Sequence, residues 1–135
     1  MLRGLGRFLR EPGFRRLAAE AAMLLPRAHL AIGRRPFPQA IGFGAVPLGP
    51  NSDTDVELVS KTVASVARRM PFRALCFEQG LTVQRMLRRR GVPAVLHYGV
   101  DARGELSAHV WISLDGRTVH GGQTAPRYTE VARWP

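Results

Sequence analysis

Residues 76–100 read CFEQGLTVQRMLRRRGVPAVLHYGV, and the change of pattern inside this stretch decides the fold. Its first part is helical. Cys76, Gly80, Val83 and Leu87 recur on one face, with Glu78 near the start and Arg88, Arg89 and Arg90 in the last turn. Those charges complement the helix dipole at both ends. Gly91 suits the left-handed position that closes a helix, and Pro93 forbids continuation. A helix is therefore predicted over about Ala74 to Arg90, with the Arg88–Arg90 run read as a solvated helix end. After Gly91 the pattern turns to strands. Ala94–Val100, Leu106–Leu114 and Arg117–Gly121 are predicted as three antiparallel strands, and Asp115-Gly116 is the strongest hairpin signal in the chain.

Working back from Cys76, a helix is predicted from Asp53 to Met70, stopped by Pro71. Val56, Val59, Val63, Val66 and Ala67 form its apolar stripe, and Asn51, Ser52 or Asp53 is its cap. Gly33–Pro50 is rich in Gly and Pro and reads as loop or short turns, which could form a flexible connector. Before it, Leu17, Ala21, Leu24, Leu25 and Ala28 predict a helix over Phe14–Ile32, with Pro26 placed to kink or split it. The order is helices then strands, which is α+β with helices packed on a small antiparallel sheet. Residues 1–50 form a helical arm and connector, and residues 51–135 the body, in one compact domain.

Composition narrows the function. The formal charge is +10 over 135 residues, and Lys61 is the only lysine. Two readings of that charge stand side by side: attraction for an acidic peptide, partner, nucleic acid or anionic lipid, and an arginine-rich coding habit. The few aromatics are not interleaved with the arginines, which speaks against nucleic acid. No stretch approaches the roughly 18 apolar residues of a membrane span. Cys76 is the only cysteine, so no intrachain disulfide can form, and the simplest expectation is a cytoplasmic protein.

Cys76 is the candidate nucleophile. At the start of a helix, free N–H groups and the dipole stabilise a thiolate, and they can also hold a developing oxyanion. A lone inward-facing Cys is also consistent with a small core residue. His109 is the candidate general base. It shares a strand face with Trp111, and a strand packed on the Cys76 helix can present an imidazole to the thiol. His97 falls opposite His109 if the loop between their strands is short. His29 lies in the N-terminal helix, far from this group. Across three strands His97, His109 and His120 could also hold a metal, a use that the Cys76–His109 pairing makes unnecessary. Trp111 and His97 are candidate substrate contacts.

Three segments carry a resemblance: Cys76-Phe77-Glu78-Gln79-Gly80-Leu81 through Gly91, Leu96-His97-Tyr98-Gly99-Val100, and Ala108-His109-Val110-Trp111-Ile112. In this order and spacing the chain resembles the lasso peptide biosynthesis B2 proteins, of the transglutaminase-like superfamily of cysteine enzymes. The resemblance is good from about Pro71 to Gln123. It is looser in the Glu20-Ala21 helix and in Arg34-Arg35-Pro36-Phe37. It implies a papain-like core, with Cys on a helix N-terminus and His on the adjacent sheet. It implies a peptidase that removes the leader of a ribosomally made precursor, working with a separate leader-recognition (B1-type) protein and alongside a macrolactam cyclase. No metal or organic cofactor is needed. Other acyl transfers on this scaffold, such as amide crosslinking or N-acylation, and a non-catalytic basic adaptor for an acidic peptide or membrane are the alternatives.

The family pattern is Cys-His-Asp, and here the third member is in question. Asp115 is six residues along the strand from His109, about 20 Å at strand rise, and has a sufficient explanation as a turn residue. The positions facing His109 from the returning strand are about Gly121 to Gln123. Gln123 is the side chain there that could accept from the imidazole N–H, with the backbone as the other source. Asp101 and Glu105 flank a loop and reach only if the sheet curls.

Overall fold

The computed structural model describes residues 13–101, 107–122 and 128–135. Among the described residues four helices, α1 (Phe14–Arg34), α2 (Phe37–Ile41), α3 (Val56–Ala67) and α4 (Cys76–Arg89), precede four strands. The strands are β1 (Val95–Asp101), β2 (Ser107–Leu114), β3 (Arg117–His120) and β4 (Thr129–Trp134). All neighbours in the sheet are antiparallel, in the order β3-β2-β1-β4. The α+β expectation holds, with the helices packed on one sheet face.

Local chemistry explains most boundaries. The Asp55 carboxylate accepts from the Leu58 N–H at 3.0 Å and caps α3 in place of the expected Asn51, Ser52 or Asp53, so the helix spans its apolar stripe and is shorter at both ends than the expected Asp53–Met70. Gly91, at φ 82°, closes α4, with Gly91 N–H donating to Arg88 O and Val92 N–H to Leu87 O. Asp115 (φ 51°) and Gly116 (φ 78°) make the hairpin turn between β2 and β3.

Four expectations are corrected. First, α1 is not split at Pro26; it runs unbroken to Arg34, its buried residues Leu17, Ala21, Leu24, Leu25 and Ala28 locked into the common core. Second, the connector holds the short helix α2 and is fastened along α4. Arg85 donates to Phe43 O at 3.1 Å, Arg88 Nε to Val46 O at 2.6 Å, and Gly49 N–H to Arg88 O at 2.8 Å. A Cβ on Gly49 would fall 2.0 Å from Arg89 O, so only glycine permits this approach. Third, the arginine run is not a solvated end. Arg88 serves the connector and Arg90 grips both Glu20 carboxylate oxygens, which leaves Arg89 as the exposed member. Fourth, β4 joins the sheet beside β1, pairing Leu96 with Trp134 and Tyr98 with Ala132. The buried Gln84 of α4 pins its end by donating to Trp134 O at 3.1 Å.

The core surrounds α4, with the sheet on one side and α1 and α3 on the other. Leu81, Val83, Met86, Leu87, Leu96 and Ile112 are fully buried there, and Val110 almost so. Gly80 is the point of closest approach, since a Cβ on it would meet Val110 Cγ2 at 2.8 Å.

Candidate active site

Cys76 is the first residue of α4 and is half-buried. Leu75 precedes it as N-cap and has no side-chain oxygen to bond the helix end. The first intrahelical bond runs from Gln79 N–H to Leu75 O at 3.0 Å. The thiol therefore sits at the positive end of the α4 dipole, without a side-chain acceptor competing for the terminal N–H groups.

His109 stands on β2 one residue from Val110. Val110 packs on Gly80, so alternation along the strand turns His109 toward the other sheet face. The expectation that β2 presents His109 straight at the α4 surface is thus modified by parity. On its own face His109 lies 6.1 Å from the Trp111 ring and 5.1 Å from that of Tyr128. Its Nε2 is 2.9 Å from Gly121 O. No hydrogen bond joins Cys76 to an imidazole among the described residues.

The residue opposite His109 on β1 is Gly99, and His97 pairs with Trp111 instead. The pairing is displaced by two residues from that expectation, which keeps the parity. His97 stacks on Trp111 with centroids 5.5 Å apart, and Trp111 lies across Gly99. Both His97 nitrogens are engaged, Nδ1 with the Glu130 carboxylate and Nε2 with Ser113 Oγ at 2.6 Å. That bond, with Arg133 beside it, holds the Glu130 carboxyl below its ordinary range.

His120 is the sheet imidazole that reaches the Cys76 helix. It pairs with Ile112, whose side is the helix side, after an irregularity in the β2–β3 register. Gln79 lies one turn below Cys76 and donates from Nε2 to Ala74 O at 2.9 Å. Its Oε1 is left to accept from His120 Nε2–H at 3.2 Å, and His120 Nδ1 accepts from the Ser60 hydroxyl at 2.7 Å. Burial first, and the nearby His109 second, push the His120 pKa down to about 4. His109 thus lies within electrostatic reach of a residue that touches the first turn of α4.

His29 is also nearer than expected. It stacks on Phe72 at 4.3 Å and meets Glu78, two residues after Cys76, at 3.4 Å. Neither the Ser60–His120–Gln79 chain nor His29 was legible in sequence, because each joins elements dozens of residues apart. Asp115 stands exposed at the hairpin tip, as a turn residue. Asp101 ends β1, paired with Ser107 and buried. Gln123 and Glu105 lie outside the described residues. Among the described residues no group of three or more His, Cys, Asp or Glu side chains is arranged to hold a metal ion. No helix there is long and apolar enough to cross a membrane.

Comparison with known proteins agrees with this architecture. A family model described as the transglutaminase-like superfamily matches residues 18–133, a span that begins inside α1 and ends inside β4. No curated protein and no solved structure gives a match. A match over most of the length, on helices packed against an antiparallel sheet with the single cysteine at a helix start, shows that the chain belongs to the transglutaminase-like superfamily, in the domain family associated with B2-type leader peptidases of lasso peptide biosynthesis.

Proposed function

We propose that this protein is a cysteine peptidase that removes the leader from a ribosomally made lasso peptide precursor. The observation that carries the reading is the position of Cys76: the only cysteine, first residue of α4, within the span matched to the family. The Cys76 thiol gives its proton to His109, and Sγ attacks the carbonyl at the leader–core junction. The N–H groups at the start of α4 hold the oxyanion. The C–N bond breaks, His109 returns the proton to the leaving amine, and water hydrolyses the thioester. His109 leaves β2 on the face away from Gly80 and makes no hydrogen bond to Cys76, so the reading requires the Cys76–His109 contact to be made in the precursor complex, where catalytic hydrogen bonds often tighten. Trp111 supplies an apolar surface for the peptide beside His109. The partners are the precursor leader, a separate B1-type recognition protein and the macrolactam cyclase; a surface of charge +10 favours an acidic peptide.

The test is mass spectrometry of precursor incubated with this protein and the recognition protein, with and without an added amine. Expected is cleaved core with no amine adduct. Cys76→Ala abolishes it, and His109→Gln lowers kcat by roughly 100-fold or more. Full activity of folded Cys76→Ala would sink the reading, and an amine adduct would favour the other acyl transfers.

A further inference from the structure

We infer that the main-chain carbonyl of Gly121 is the group that orients His109, in the place where the family pattern has a carboxylate. The inference rests on the peptidase reading for its catalytic meaning, but its geometry stands alone. A carbonyl oxygen only accepts, so the 2.9 Å contact requires the proton to be on His109 Nε2. The neutral ring then has Nδ1 as its basic atom, and a proton taken from Cys76 goes there. Gly121 is placed for this by its own conformation. Its φ of 73° lies in the left-handed region, and the turn it makes at the end of β3 sends its carbonyl back toward β2. Space enforces the same choice. A Cβ at Gly121 would meet Val110 O at 3.1 Å and His109 Nε2 at 3.5 Å.

Two acids among the described residues are disposed differently. Asp115 is at the hairpin tip, and the Glu130 carboxylate is occupied by His97 and Arg133. A carbonyl dipole stabilises an imidazolium less than a carboxylate does. Burial keeps the neighbouring His120 uncharged at neutral pH, so no second positive charge opposes the one formed on His109. Gly121 is therefore a positioning residue acting through His109.

Nitrogen-15 NMR of the histidine side chains tests this directly. In wild-type protein at pH 7.5, His109 is expected as the single Nε2–H tautomer. Gly121→Ala, strained at positive φ, is expected to lose that single tautomer and to lower kcat by roughly 10-fold or more with KM little changed. Gly121→Asn adds the same Cβ but tolerates positive φ better, and is expected to keep the tautomer and recover most of kcat. Gln123→Ala is expected to keep the tautomer. A wild-type His109 protonated on Nδ1 overturns the proposal even if no variant folds. So does a folded Gly121→Ala with unchanged tautomer and kcat, or loss of the tautomer in Gln123→Ala. An Nε2–H tautomer in a protein that cleaves no precursor supports the assignment of the carbonyl and removes the peptidase reading instead.

Discussion

His120 holds two hydrogen bonds that require a neutral ring, one accepted from Ser60 and one donated to Gln79. Its pKa falls from 6.5 to about 4 on folding, so between those values the unfolded chain binds more protons than the folded one. The stabilisation is complete above pH 6.5 and is lost as pH falls toward 4. Between pH 7.5 and 5 the loss from this residue is about 2 kcal/mol. Urea unfolding across that range should show the decline, and His120→Gln should flatten it. A slope unchanged by the substitution would mean that His120 titrates normally. Glu130 is depressed in the opposite chemical sense, and its share is lost only below its ordinary value of 4.5, outside that range. The histidine itself was visible in the sequence. Its neutrality was not, because it depends on Ser60 and Gln79 coming from two different helices.

At the scale of elements, the contact of α4 with β2 decides where Cys76 stands. Gly80 has no room for a side chain, since Val110 Cγ2 already occupies the position of its Cβ. Gly80→Val should push α4 off the sheet and cost about 1–3 kcal/mol, read as a lower urea midpoint, and precursor cleavage should fall with it. Gly33, near the end of α1, is the contrasting case. Nothing lies within 4 Å of a Cβ there and its φ is ordinary, so Gly33→Ala should raise stability by about 0.5–1 kcal/mol. Equal effects of the two substitutions would show that helix propensity, not close approach, governs Gly80. The helical stripe of α4, with Gly80 on it, was readable because a helix repeats every 3.6 residues. The strand β4 was not readable. Its Thr129–Trp134 positions alternate between exposed and half-buried with none fully buried, and the apolar Val131 falls on the exposed side.

Across the whole molecule α1 is part of the core rather than an attachment to it. Leu24 and Leu25 are buried to 1% and 0% exposure in the same cluster as Val59, Val63, Met86 and Leu87. The Glu20–Arg90 ion pair ties the middle of α1 to the closing residue of α4. A chain beginning at Arg35 should therefore fail to fold, because it uncovers the faces of α3 and α4 that α1 packs on. Dispersed amide resonances and a cooperative urea transition in that fragment would contradict this and make residues 1–34 a detachable arm.

The sequence by itself determined the helix-to-strand switch at Gly91-Pro93, the Asp115-Gly116 turn, the helical start at Cys76 and the packing face of α4. Each is set within a few residues, by backbone conformation, capping chemistry and periodicity. Only the tertiary structure decided that Val110 rather than His109 meets Gly80, that His97 pairs with Trp111, that His120 reaches the first turn of α4, and that Gly121 turns its carbonyl to His109. These depend on strand register and on contacts between distant segments. A shift of one residue exchanges the two faces of a strand, and no local signal in the chain specifies it.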